Sequence, residues 1–278
     1  DMKLNEKIVA YSDMERVFEG GLQGVIWALP SSVCRQQARI AAKYFKGDEI
    51  ILHATKGIEP GSLKRISQVL TEEIPSRRIG VISGPNLAQE IARGEPAATV
   101  VASVFSEVCE SGQVLLMSEK FRAYTATDVV GVEWAGALKN IFAIAAGAID
   151  VLNLGWNSRA MLITRSLAEM ARFGTAMGAK ESTFLGLAGA GDLLATCSSS
   201  LSRNYRVGQR LAKGERLSAI LLDLGSTAEG VATTKSIYEF ALQRQISMPI
   251  TEGVNQLLEG REVREVLSSL MRRPGSIE

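Results

Sequence analysis

"GVEWAGALKNIFAIAAGAID", residues 131–150, decides the fold, because the rhythm of the chain changes there. Small and apolar residues recur in it at helical spacing. It carries a single cation, Lys139, beside Asn140. An isolated lysine on an amphipathic helix ordinarily reaches for water. Here Ala135, Gly136, Ala143, Ala146 and Gly147 mark a helix packed closely on several sides. A lysine kept from water has a lowered pKa and can serve as a general base or Schiff-base former.

Upstream, short apolar runs alternate with amphipathic ones. "KIVAYS" (7–12), "GVIWALP" (24–30), "EIILHATKG" (49–57), "IGVISGP" (79–85) and "ATVVASV" (98–104) read as strands buried on both faces. "FRAYTATD" (121–128) is more polar and reads as an edge strand. "SSVCRQQARIAAKYFK" (31–46), "GSLKRISQVLTEEI" (61–74) and "SEVCESGQVLLMSE" (106–119) read as helices, the first and last with serine at a cap position. Such alternation predicts an α/β fold, a doubly wound parallel sheet with helices on both faces. Downstream the pattern is helical to the end, with Asn157 as a cap of the helix after residue 156. The expected organisation is a nucleotide-binding domain at 1–131 and an all-helical substrate domain at 132–278.

The balance of 31 basic against 30 acidic residues gives no broad pull toward nucleic acid or membrane. Cys34, Cys109 and Cys197 share no metal-ligand spacing, and an odd, sparse set suits a reducing cytoplasm. No run of about 18 apolar residues and no secretory signal is read in the chain. His53, the only histidine, lies inside a strand run, where it is expected to be hydrogen-bonded in place; neither a zinc site nor a Ser-His-Asp arrangement is supported.

Ligands of open parallel sheets bind beyond the carboxyl ends of the strands. "ALPSS" (28–32), "ATKG" (54–57) and "SGPN" (83–86) place small residues or proline at three such ends, with Lys56 poised for an anionic group. Farther on, "GLAGAGD" (186–192) imitates a dinucleotide loop, but no strand precedes it, so that match is rejected. Asp192 can start a helix there. Ser202, Arg203 and Asn204 crowd the start of a further helix, where free N–H groups, a hydroxyl and a guanidinium make a phosphate clamp; a serine cap beside a surface arginine is the plainer alternative.

Residues 131–174, followed by "GLAGAGDLLATCSSSLSRN" and "EGVATTKSIYEFA", closely resemble the bacterial-type NAD(P)-dependent glycerol-3-phosphate dehydrogenases. "HATKGIEPGS" and "SGPNLAQEIARGEPAA" match the same family in the same order, so the resemblance spans about residues 5 to 270. It implies that Lys139 takes the proton of the C2 hydroxyl, with Asp192 contacting lysine and substrate and Asn140 orienting them. It implies substrate contacts at Lys56, Gly84, Asn86, Ser202, Arg203 and Asn204. Cofactor contacts, NAD or NADP, fall at Lys56, Ala88, Arg203, Thr227 and Glu229. Where the family usually has serine or threonine this chain has Asn86, and a retuned contact is expected. A small phosphorylated substrate, a cytoplasmic homodimer, no metal and a role in glycerol 3-phosphate supply for phospholipids complete the implication.

The family also opens with a strand and a G-x-G-x-x-G/A loop that holds the cofactor pyrophosphate. That segment is not in this sequence, and the expectation is a nucleotide domain without its first βαβ unit. The rival readings are a hydroxyacid or ketopantoate-type reductase, and a binding remnant that keeps the cleft without turnover.

Overall fold

The structure, a computed structural model, describes residues 5–224 and 228–275. A short helix, α1 (Met14–Phe18), precedes a five-stranded sheet: β1 (Gly24–Trp27), β2 (Ile50–His53), β3 (Ile79–Ser83), β4 (Ala97–Ala102) and β5 (Phe121–Ala126), hydrogen-bonded in that order. The linking helices are α2 (Cys34–Ala41), α3 (Ile66–Glu73), α4 (Ala88–Ala92) and α5 (Ser106–Leu116). One face packs Trp27, Ile51 and Ile79 on Ile66 and Leu70; the other packs Leu52, Ile82 and Val101 on Val108. β3 is buried along its whole length, as its unbroken apolar run requires, and β5 forms an edge.

Two expectations need correction. The sheet is mixed: β1–β2, β2–β3 and β4–β5 are parallel, but β3 and β4 are antiparallel. A parallel return needs a crossover long enough to run back along the sheet. The five-residue α4 between β3 and β4 is too short for that. "KIVAYS" forms no strand; Ile8 and Val9 are 59% and 64% exposed, and among the described residues no strand pairs with them.

Helix starts also depart from the reading. Ser31 and Ser106 fall at first helical positions, behind Pro30 and Phe105, and cap nothing. The helix expected from Gly61 begins only at Ile66, because Leu63 takes a φ of 57° and Ile58 bridges Arg65. Gly155, not Asn157, is the cap of α7.

The second half is built around α6 (Val129–Asp150), flanked by α7 (Trp156–Ala176), α8 (Glu181–Phe184), α9 (Asp192–Cys197), α10 (Arg203–Ala212), α11 (Leu217–Asp223), α12 (Glu229–Gln243), α13 (Pro249–Leu258) and α14 (Val263–Met271). By length and mean hydropathy α6 could pass as a membrane span, but Glu133, Lys139 and Asn140 interrupt any continuous apolar run, and 89% of that window lies inside the protein. Trp134, Leu138, Ile141 and Phe142 from α6 meet Met170 and Phe173 of α7. α10 crosses it at backbone contact. A Cβ on Gly147 would lie 1.9 Å from the Tyr205 carbonyl oxygen, and one on Gly208 equally close to that of Ile144. Only paired glycines allow such an approach.

Candidate active site

Parallel β1, β2 and β3 bring the three strand ends to one rim, and α6 runs against it. Gly136 of α6 sits so near that a Cβ there would lie 3.2 Å from Ser83 Oγ and 3.7 Å from Lys56 Cγ. Ser83 Oγ is buried without a hydrogen-bond partner.

One turn on, Lys139 projects into the same region and is only 7% exposed. Its Nζ donates to Asp192 Oδ1 at 2.5 Å and to Thr196 Oγ1 at 2.9 Å. Asp192, 1% exposed, is shared with a second cation: Lys56 Nζ lies 2.5 Å from Oδ2 and donates to the Gly84 carbonyl at 2.8 Å. One carboxylate thus holds two ammonium groups, one from the rim of the sheet and one from the helical half. Burial pulls the Lys139 pKa down, Asp192 pulls it up and Lys56 pulls it down again, leaving it at about 8. Burial pushes Asp192 up, but the two cations outweigh it and hold the carboxyl below its ordinary range. An amine that titrates near neutrality can accept or give a proton at an alcohol oxygen.

Asn140 donates to the Lys56 carbonyl at 2.9 Å, and its Oδ1 accepts from Asn204 at 3.0 Å. Asn204 in turn accepts from the Gly230 N–H at 3.0 Å. Ser202 caps α10, accepting from the Tyr205 N–H, with Arg203 exposed as the first helical residue. The serine cap of the plainer reading is thus present at this helix start. Glu229 reaches across to β1's end, accepting from the Ser31 N–H at 2.9 Å and from the Ser31 hydroxyl.

Lys139, Asp192, Lys56, Gly84, Asn140 and Asn204 thus form one contiguous cluster. Asn86 stands beside it with its amide engaged on β4, donating to the Ala98 carbonyl at 3.0 Å and accepting from the Thr99 hydroxyl at 2.8 Å. Ala88 is the exposed first residue of α4. Thr227 lies outside the described residues. "GLAGAG" folds as a helical turn over Leu187–Gly191, with Gly189 against the Phe184 backbone, so it is a packing element and no nucleotide loop.

The sequence reading passed over Thr196, although it follows Asp192 by four residues and so shares its helix face. It also passed over Glu133, 6% exposed on α6. Glu133 accepts from Arg65 at 2.5 Å and from the Ser67 N–H and hydroxyl at 2.8 and 2.6 Å. His53 Nε2 lies 3.1 Å from the same carboxylate but off the line of a hydrogen bond, so the expected hydrogen-bonded histidine is instead enclosed by packing. No signal of local spacing links residues so far apart in the chain. Among the described residues no group of His, Cys, Asp and Glu is arranged to hold a metal.

At the end of β2, Gly57 has no room for a Cβ, which would lie 2.6 Å from Glu229 Oε2 and 3.0 Å from Ser31 Cβ, so Glu229 and Ser31 close directly on the strand ends.

Two family profiles cover the chain. One described as the NAD-dependent glycerol-3-phosphate dehydrogenase N-terminus matches residues 1–109, and one described as its C-terminus matches 128–268. A glycerol-3-phosphate dehydrogenase [NAD(P)+] of Oceanobacillus iheyensis is 42% identical over 98% of this chain and 80% of its own length. One of Pseudomonas aeruginosa strain LESB58 is 46% identical over 98% and 79%. The crystal structure of the Coxiella burnetii glycerol-3-phosphate dehydrogenase superposes with a TM-score of 0.92 at 34% identity, covering 98% of this chain and 84% of that one. A ketopantoate reductase from Ralstonia eutropha reaches only 0.54 at 16% identity, a likeness of fold alone. Profiles on both halves and relatives matched almost end to end place this chain in the NAD-dependent glycerol-3-phosphate dehydrogenase family.

Proposed function

We propose that the chain interconverts sn-glycerol 3-phosphate and dihydroxyacetone phosphate, with Lys139 as the group that moves the proton at O2. The observation that carries this is the buried Lys139 ammonium paired with Asp192 and Thr196 at the rim of the sheet. Lys56, Ala88, Arg203, Thr227 and Glu229 would hold NAD or NADP, which when bound would supply the acceptor for hydride from C2, or its donor in reverse. In oxidation the neutral Lys139 amine takes the O2 proton; in reduction its ammonium returns one to the developing alkoxide. Asp192 and Asn140 fix the bearing of the two lysines. Lys56, Gly84 and Asn86 line one side of the substrate, and Ser202, Arg203 and Asn204 hold its phosphate at the start of α10, away from the reacting carbon.

The division of labour follows: residues 1–131 are the nucleotide-binding domain and 132–278 the domain of the proton carrier, with Lys56 of the first shared with the substrate and Arg203, Thr227 and Glu229 of the second shared with the cofactor. A cytoplasmic homodimer feeding phospholipid synthesis is the setting that the family implies; light scattering in solution checks the assembly. The test of the reaction is oxidation of NADH and of NADPH by dihydroxyacetone phosphate, with this chain and with a longer one carrying a G-x-G-x-x-G/A loop ahead of it. Turnover with the phosphorylated ketone and little with a phosphate-free 2-keto acid supports the reading. Equal turnover with both would contradict it.

A further inference from the structure

Beyond the groups that touch substrate, a line of buried amides connects the start of α12 to the rim of the sheet. The Gly230 N–H donates to Asn204 Oδ1 at 3.0 Å, Asn204 Nδ2 to Asn140 Oδ1 at 3.0 Å, and Asn140 Nδ2 to the Lys56 carbonyl at 2.9 Å. We infer that Gly230 is a positioning residue, which through Asn204 and Asn140 fixes the Lys56 backbone and so the seat of its ammonium on Asp192. The inference rests on the reading of Lys139 as the proton carrier.

The line has a direction. It begins at a backbone donor and ends at a backbone acceptor, and each carboxamide has one oxygen and one NH2. Only one orientation of each satisfies both neighbours. Flipping either sets oxygen against oxygen or NH2 against NH2, in a site where Asn140 and Asn204 are almost fully buried and an unmade hydrogen bond is expensive.

Glycine is required at 230 for space. A Cβ there would lie 2.6 Å from the Asn140 carbonyl oxygen and 2.8 Å from Asn204 Oδ1. The adjacent Glu229 holds Ser31, so consecutive residues of one helical turn tie down the ends of both β1 and β2. The consequence is electrostatic. Lys139 Nζ faces Asp192 and Thr196 from α9, the Lys56 ammonium from the end of β2, and the neutral, buried Cys197 thiol. If Lys56 loses its seat, Asp192 is left to Lys139 alone, and Lys139 holds its proton more tightly.

The experiment compares Gly230→Ala with Thr234→Val. Thr234 bonds the Gly230 carbonyl at 2.6 Å and supports α12 without entering the amide line. Two quantities are read: the pH profile of kcat for dihydroxyacetone phosphate reduction, and hydrogen exchange of the Asn140 and Asn204 side-chain amides by NMR. Gly230→Ala is expected to move the alkaline limb upward by on the order of one pH unit, to lower kcat roughly 10- to 100-fold, and to abolish the slow exchange of both amides. Thr234→Val is expected to lower Tm with neither effect. Should Gly230→Ala fail to fold, Asn204→Leu is read instead by Asn140 amide exchange, which must accelerate. A folded Gly230→Ala protein with unchanged profile and protected amides overturns the inference, as does an equal shift in Thr234→Val. Slow amides in a parent without turnover would support the relay and count against the catalytic reading alone.

Discussion

Lys139 is legible in the sequence because it is the only cation in an apolar helix, and burial is the largest of the effects that lower its pKa. Lys139→Ala should lower turnover by about 10²–10⁴-fold, the range for loss of a general acid or base, with the fold retained by circular dichroism; near-parental turnover would remove Lys139 from its role. Burial, Asp192 and Lys56 together set its pKa at about 8. Reduction of dihydroxyacetone phosphate, which uses the ammonium, should therefore fade as pH rises through that value, while oxidation of glycerol 3-phosphate should rise. Parallel pH dependence in the two directions would contradict the assignment. Arg203→Ala should chiefly raise KM for the phosphorylated substrate, because an anion contact remote from C2 contributes binding in ground and transition state alike. Asp192 was likewise readable at the end of its glycine run. Thr196 was readable only from its four-residue spacing to Asp192, and Gly230 was not readable, since its meaning depends on which helices come together.

At the scale of elements, the small residues of 131–150 announced close packing, and the structure shows where: the Gly147 and Gly208 crossing of α6 on α10. Gly147→Ala should destabilise the protein by about 1–3 kcal/mol, the usual cost of overpacking, whereas Gly275→Ala, in open space, should stay within about 0.5 kcal/mol. Chemical denaturation of the two variants reads the difference; equal midpoints would mean that the crossing tolerates a side chain. The same close approach brings Asn204 to Asn140 and so delivers the start of α10 to the site. Strand existence was largely legible from apolar runs. Strand direction was not, because "ATVVASV" has the same composition whichever way it pairs; the short α4 decides it. "KIVAYS" misled for a related reason, since an apolar run makes a strand only where a neighbour supplies the ladder.

At the scale of the molecule, Glu133 joins the two halves, tying α6 to the start of α3 and to β2. Burial would push its carboxyl up, but His53, Arg65 and Ser67 hold it down at about 2. A carboxylate whose pKa is depressed on folding stabilises the protein above its unfolded value, about 4.3, and that contribution is lost as pH falls from there toward 2. Glu133→Ala should cost about 3–5 kcal/mol near neutrality, because Arg65 is left with an unpaired charge. The deficit relative to the parent should shrink on acidification below about pH 4.3. A deficit independent of pH in urea denaturation would show that the latch is not ionic. Contacts of this reach were invisible in the sequence, where the partners stand in separate elements with no shared periodicity.

The most direct measurement is a crystal structure of the complex with sn-glycerol 3-phosphate and oxidised cofactor. The account predicts the C2 hydroxyl within about 2.6–3.2 Å of Lys139 Nζ, a hydrogen-bond reach, and the phosphate at the start of α10 beside Ser202 and Arg203. A substrate bound with its phosphate elsewhere and its C2 hydroxyl out of reach of Lys139 would contradict it.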